Sequence, residues 1–316
     1  MEWMYSLLFP IQWVVAWIMY GWHWLLELVG ISGESGLSWV LAIVGLTLTI
    51  RTALIPLFFK QIHASRGMQV VAPEMKKLQA KYANKKDQAS REAMAREMQE
   101  LYKKHQTSPF ASCMPLLLQM PIFFALFRVL NTLPQIASGE NDPIGPINKV
   151  VAGQIESSTF FGAPLSETFL NTDVTQVKVV TAILILIMSV TQFFTQRQLT
   201  MKNMPPSALE GPTAAMQKNM MYIFPVIFAV SGVNFPIGVL VYWTVSNVWS
   251  MGQQFYTIRK IPTPGSEAAR RLEARRRARG IVEVTSADGT TTTVAPPSGQ
   301  RQQPMSAQRQ KRKKKK

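Results

Sequence analysis

Apolar residues in this chain gather into long unbroken blocks. Residues 37–50, 110–127, 179–196 and 219–258 contain no Asp, Glu, Lys or Arg. A helix rises about 1.5 Å per residue, so about 20 apolar residues cross the ~30 Å hydrocarbon core of a bilayer. The first three blocks predict membrane helices at about 37–59, 109–128 and 177–197. Pro115 and Pro121 inside the second are tolerable where neighbouring helices satisfy the freed carbonyls. As a single helix the last block would be about twice a bilayer core in length. It must therefore be two spans, about 216–232 and 237–258, with Ser231 to Pro236 as the turn.

The remaining segments are patterned differently. Over residues 3–29 a narrow polar stripe of Gln12, Ala16, Tyr20, His23 and Glu27 opposes an apolar face of Ile11, Val14, Val15, Ile18, Trp22, Leu25, Leu26 and Val29. Trp3, Trp13, Trp17, Trp22 and Trp24 lie here, and Trp favours the headgroup level. Residues 1–30 thus read as an interfacial amphipathic helix following a break at Pro10, with a true span as the alternative. Residues 61–107 form a cytoplasmic helical hairpin. Met75, Leu78 and Tyr82, then Met94, Met98, Leu101 and Tyr102, recur at spacings of three and four around a turn at Asn84 to Asp87. Residues 131–173 read as an extracytoplasmic loop. The tail, 259–316, is rich in Pro, Gly, Ser, Thr and Gln between the basic clusters 270–279 and 309–316; it is expected to be disordered, with 267–279 helical when bound.

Charge then orients the chain. Of 316 residues only 16% are charged, against about 25% in soluble domains, yet the net charge is +16. Thirty of the 34 Lys and Arg fall in 60–106, 197–218 and 259–316. By the positive-inside rule these are cytoplasmic, whereas the N-terminus and 131–173 are outside. The expected fold is an all-α membrane protein of the cell membrane with five transmembrane helices, N-out and C-in, and a core over 31–258.

Several chemistries lack their residues. The single cysteine, Cys113, allows no intrachain disulfide and reads as a small buried hydrophobe. Glu2 stands where a signal peptide carries bases, so the first segment is expected to be retained. Phosphate-loop, H-E-x-x-H and G-x-S-x-G motifs are absent, and the three histidines, His23, His63 and His105, are scattered. The expectation is a protein without enzymatic activity, cofactor or metal. Nor does any predicted span hold an Asp or Glu, the groups ion-coupled transporters commonly use.

Arg51 is the exception, an ionisable group deep in a span. An Arg at a helix centre costs about 2.5–3.5 kcal/mol on insertion scales. Nine residues separate it from Lys60, roughly 13 Å along a helix. Either it snorkels to the cytoplasmic boundary, or it sits in a water-filled cavity open to the cytoplasm. Polar faces on other spans suit such a cavity: Ser189, Gln192 and Gln196 on the third, Trp243, Asn247, Ser250 and Gln254 on the fifth, with Gln119 on the second. The plainer alternative is that these groups bond helix to helix. A polar half-channel with no acid suits transient solvation of a peptide.

Arg51, the Pro73-Glu74-Met75 run, the span-two run Pro115-Leu116-Leu117-Leu118-Gln119-Met120-Pro121-Ile122, and Asn234-Phe235-Pro236 followed by Tyr242-Trp243 resemble the YidC/Oxa/Alb family of membrane protein insertases over about residues 1–258. The resemblance implies a five-span core, an extracytoplasmic amphipathic helix, a cytoplasmic hairpin, and a groove open to cytoplasm and lipid whose Arg meets the substrate. Arg51 matches that position; Trp243 and the Gln192 to Gln196 region match groove-lining positions. Lacking a large periplasmic domain, the chain looks like the compact Gram-positive type, without an N-terminal lipobox.

The expected function is insertase and chaperone. Nascent hydrophobic segments would enter a groove of Arg51, Gln119, Gln192, Gln196, Trp243 and Asn247 and leave laterally into lipid. Expected partners are nascent membrane proteins, the ribosome through the basic tail, anionic lipids and a Sec-type translocon. One rival is a small anion transporter or channel using Arg51. Another, resting on the tail alone, is a scaffold binding RNA or anionic lipid.

Overall fold

The computed structural model describes residues 2–85, 87–105, 114–204, 206, 212–279, 282–285 and 291–294. Cys113 and the cluster 309–316 lie outside the described residues. One unit comprises Met1–Ala268. Its helices are α1 (Glu2–Leu28), α2 (Gly36–Ala53), α3 (Ile55–Tyr82), α4 (Gln88–Lys104), α5 (Met114–Asn131), α6 (Leu133–Ser138), α7 (Lys149–Ser157), α8 (Thr175–Arg197), α9 (Pro212–Gly232) and α10 (Ile237–Lys260), with α11 (Glu267–Ala278) at its boundary. By length and composition α2 and α8 are each sufficient to cross a bilayer. Helix α10 packs on α2, α5 and α8; α1 packs on α2 and α5, and α9 on α8.

Helix α1 departs from expectation twice. It runs unbroken through Pro10. Its polar stripe also faces inward: Gln12, Ala16 and His23 are buried with Val15 and Met19, while Trp13, Val14, Trp17, Trp24 and Leu25 are exposed. Where the surroundings are lipid, polar groups find partners only inside the protein, which inverts the amphipathic rule for water. His23 Nδ1 meets Ser38 Oγ at 2.8 Å, and its ring stacks on Trp39 at 3.7 Å. Trp22 Nε1 donates to Thr49 Oγ1 at 2.9 Å, over a face opened by Gly45.

The first apolar block is interrupted at Leu54, so the helix expected over 37–59 is divided between α2 and α3. Pro56, near the start of α3, has no N–H to donate to the carbonyl four residues back and crowds it. Helix α3 then continues past Lys60 and through Pro73 to Tyr82, without a boundary where the polar stretch begins.

Helices α3 and α4 form an antiparallel pair. Asp87 Oδ2 accepts from Ser90 N at 2.9 Å and starts α4. Two polar clasps join the arms. Near the turn Glu97 accepts from Lys81 Nζ at 2.6 Å and Tyr82 Oη at 2.7 Å; at the other end Glu74 lies 3.1 Å from His105 Nε2 and 3.6 Å from Lys104 Nζ. Between them Tyr102 Oη contacts Met75 Sδ at 3.2 Å.

Residues 131–173, expected to be a loop, form a folded cap. It contains α6, α7 and a two-stranded ladder of β1 (Thr159–Phe160) and β2 (Ala163–Pro164). Leu133, Ile136, Ile147, Ile155 and Leu165 are buried in one core with Trp39, Ile43, Leu126, Leu240 and Tyr242. The cap also completes α10. Ile237 N donates to Glu167 O at 3.1 Å and Gly238 N to Leu165 O at 2.9 Å, satisfying N–H groups that a helix start leaves open. Gly36 is required where α2 meets β1, since a Cβ there would stand 1.7 Å from the Thr159 carbonyl oxygen.

At the far end of α8 the helix loosens into a π-helical turn over Gln198–Lys202. Asn203 Oδ1 then accepts from Thr263 N at 3.0 Å, tying the segment after α10 to the segment after α8. The second unit, Ala269–Lys316, contains most of α11 and an antiparallel pair of β3 (Val282–Thr285) and β4 (Thr291–Val294). Helix α11 falls within 267–279, the part of the tail expected to be able to form helix.

Candidate functional site

Arg51 occupies the last turn of α2, where unpaired carbonyls present the negative end of the helix dipole. The interruption at Leu54 creates that helix end within the apolar block, and so provides partial compensation for a cation there. The side chain is half-buried. Its polar neighbour across the fold is the neutral phenol of Tyr242 on α10. Among the described residues Arg51 has no ion pair with a carboxylate.

Tyr242 is 1% exposed, the innermost group of the site. Gln119 on α5 donates from Nε2 to its hydroxyl. Three helices thus converge on one polar point: α2 with a cation, α5 with an amide, α10 with a phenol. Tyr242 entered the sequence reading only as part of a motif. A buried Tyr needs a partner for its hydroxyl, and that requirement was the available signal.

The other expected site residues make contacts of their own. Trp243, one residue on, points into an aromatic cluster: its ring stacks on Phe123 at 4.7 Å and meets Phe228 and Phe235 edge-on at 5.0 and 5.3 Å. Phe235 belongs to the turn between α9 and α10, so the cluster closes the bundle on that side of Tyr242. Asn247 Nδ2 donates to Met188 O on α8 at 3.5 Å, a helix-to-helix contact at the limit of a hydrogen bond. Ser189 Oγ makes a similar contact to Pro225 O on α9. Gln192 and Gln196 are half-buried on α8. Among the six expected residues, Arg51 and Gln119 are the two that meet the Tyr242 phenol among the described residues.

The site can bind and hydrate. Among the described residues no group of three or more His, Cys, Asp or Glu is placed to hold a metal ion. Arg51 supplies donors alone, while Gln119 and Tyr242 supply both donors and acceptors. Ile183, Leu186, Val190 and Phe194 on α8 and Tyr222, Val226 and Val230 on α9 are exposed, apolar side chains of the kind that adjoin lipid or another apolar segment.

Span-length apolar helices, polar groups turned inward on α1, and an Arg without a carboxylate partner among the described residues are the pattern of a helical membrane protein. The chain belongs to the 60Kd inner membrane protein family, whose model matches residues 30–264. It is 47% identical over 263 residues to the membrane protein insertase YidC of Streptomyces avermitilis, covering 80% of this chain and 59% of that one. With the protein of the same name from Bifidobacterium longum it is 38% identical over 272 residues, covering 86% and 81% of the two chains. The Tropheryma whipplei protein, again named membrane protein insertase YidC, is 38% identical over 291 residues, covering 89% and 91%. The chain spans less than two thirds of the Streptomyces relative's length.

Proposed function

We propose that this protein is a membrane protein insertase and chaperone of the cell membrane. It receives nascent hydrophobic segments from the cytoplasmic side and releases them laterally into the bilayer without consuming nucleotide. In this reading α2 continuing into α3, then α5, α8, α9 and α10, are five spans, N-out and C-in. The α3–α4 hairpin and the basic tail are cytoplasmic, and α1 and the cap lie on the outer side. The carrying observation is Arg51, without a carboxylate partner among the described residues and facing the Gln119–Tyr242 pair. Such a group can hold the polar flank of a passing segment and lower the cost of moving it part-way across. Gln192, Gln196 and Asn247 extend the polar surface along α8 and α10, and the apolar faces of α8 and α9 carry the segment itself. The aromatic cluster around Trp243 closes the groove on the outer side. The basic tail docks on ribosomal RNA or anionic lipid, and a Sec-type translocon is a further partner.

A site-specific photocrosslinking scan against a stalled nascent membrane protein tests this. Probes at positions 51, 119 and 192 are expected to capture the nascent chain, and a probe at the buried Trp39 is not. Capture at position 39 alone, or insertion proceeding with no capture at 51, overturns the reading.

A further inference from the structure

A second polar site lies at the junction of α1, α5 and the cap. There a cavity of about 240 Å³ opens to the surface, and none of its lining residues belongs to the Arg51 site. Arg128, in the last turn of α5, lines it together with Asp142 of the cap. Gln12 of α1, only 4% exposed, presents its side chain there. Thr132 is equally buried, and its hydroxyl proton is committed to the Arg128 carbonyl at 2.8 Å. The threonine oxygen is therefore left to accept. Ile136 and Ile144 supply apolar walls.

These groups sort by chemistry. Arg128 is donor-only and cationic; Asp142 and the Thr132 oxygen accept. A ligand meeting both needs an anionic oxygen cluster and an ammonium in one small molecule. The volume lies below the ~300 Å³ of ordinary small-molecule pockets, so it suits a headgroup with the rest of the ligand outside. The exit is apolar. Phe9, exposed at the rim, leads onto the outward face of α1 with Trp13 and Trp17, and both tryptophans lie against Gly145 of the cap. Exposed Trp marks the headgroup level of a bilayer.

We infer that this cavity holds the headgroup of an aminophospholipid of the phosphatidylethanolamine type, its phosphate on Arg128 and its ammonium on Asp142 and Thr132, with the acyl chains leaving over Phe9 along α1. Bound so, the lipid fastens α1 and the cap to the end of α5. The inference does not depend on what Arg51 does with a substrate.

The test uses full-length protein loaded from vesicles holding phosphatidylethanolamine and phosphatidylglycerol in equal amounts with identical acyl chains, and counts retained lipid by native mass spectrometry. Wild type is expected to favour phosphatidylethanolamine about tenfold, the size of one charge-assisted contact. D142N removes an exposed charge without touching the core and is expected to bring the two lipids to parity. R128Q is expected to reduce retention of both. Free phosphoethanolamine, lacking chains, is expected not to be retained. Equal retention of the two lipids by wild type, or a preference surviving D142N, overturns the site; retention of free phosphoethanolamine as strong as that of the lipid overturns its assignment to the bilayer.

Discussion

Gln119 on α5 donates to the hydroxyl of Tyr242 on α10, and the same phenol faces Arg51 on α2. The pair ties two helices together at the depth where the cation sits, and so fixes how far α5 and α10 stand apart beside it. Interhelical hydrogen bonds of this kind average about 0.6 kcal/mol in membrane proteins and reach about 1.7. Tyr242→Phe is expected to cost about 1 kcal/mol, and Gln119→Ala a similar amount. The double variant should lose less than the sum, since each single change already breaks the shared contact. Thermal unfolding in detergent checks this; additive losses would show that the two groups act independently.

For Arg51 the informative substrates differ in charge. Arg51→Leu should impair insertion of single-span proteins whose translocated tail is acidic or strongly polar, and leave apolar ones nearly unaffected. Arg51→Lys should retain part of the activity, since charge survives while the planar five-donor fork is lost. Protease protection of a panel with graded tail charge provides the measurement. Equal insertion of every tail by wild type and Arg51→Leu would falsify the groove-charge mechanism.

At Gly36 the neighbour is backbone, which cannot swing aside. Gly36→Ala is expected to cost about 1–3 kcal/mol by forcing α2 away from β1. Gly21→Ala, where a Cβ meets nothing within 4 Å, is the control and should hold its melting temperature. Matching melting temperatures for the two variants would mean that the contact between α2 and the cap yields freely.

Acid should loosen the hairpin. Hydrogen bonds from Lys81 and Tyr82 hold the Glu97 carboxyl below its usual range, and the hydrogen bond with His105 does the same for Glu74. A carboxylate with a depressed folded-state pKa contributes stability above its unfolded value, about 4.3, and that contribution disappears as pH falls through the folded value. Spin labels at Lys77 and Glu100 should therefore report a narrow distance distribution at neutral pH that broadens below about pH 4. Glu97→Gln should broaden it at both. A distribution unchanged in acid would assign the arm packing to apolar contacts alone.

Removing 269–316 leaves intact the Asn203–Thr263 hydrogen bond, whereas a cut at 263 would break it. The shorter deletion should weaken ribosome co-sedimentation at low salt, and wild-type binding should decline steeply as salt rises, because basic residues release counterions from RNA. Identical sedimentation of both proteins across a salt series would exclude tail docking.

The sequence by itself determined where apolar helices lie and which charge stands apart. Uninterrupted apolar blocks need no long-range information to be recognised, and a block too long for one helix implies a turn, which the structure places between Gly232 and Ile237. Arg51 was conspicuous for the same reason, as a charge among residues with none. Tertiary structure decided everything that depends on which neighbour a side chain meets. The family resemblance put Tyr242 and Trp243 in one motif but could not say that one would turn toward Arg51 and the other into Phe123, Phe228 and Phe235. The stripe of Gln12, Ala16 and His23 was visible as a stripe, yet its direction is set by whether water or lipid lies opposite. Residues 131–173 have neither apolar length nor a clear period; their core exists only because Ile144, Ile147 and Leu165 are brought against α2, α5 and α10. Local pattern records how often a residue type recurs along the chain, whereas burial and pairing arise between segments far apart in it.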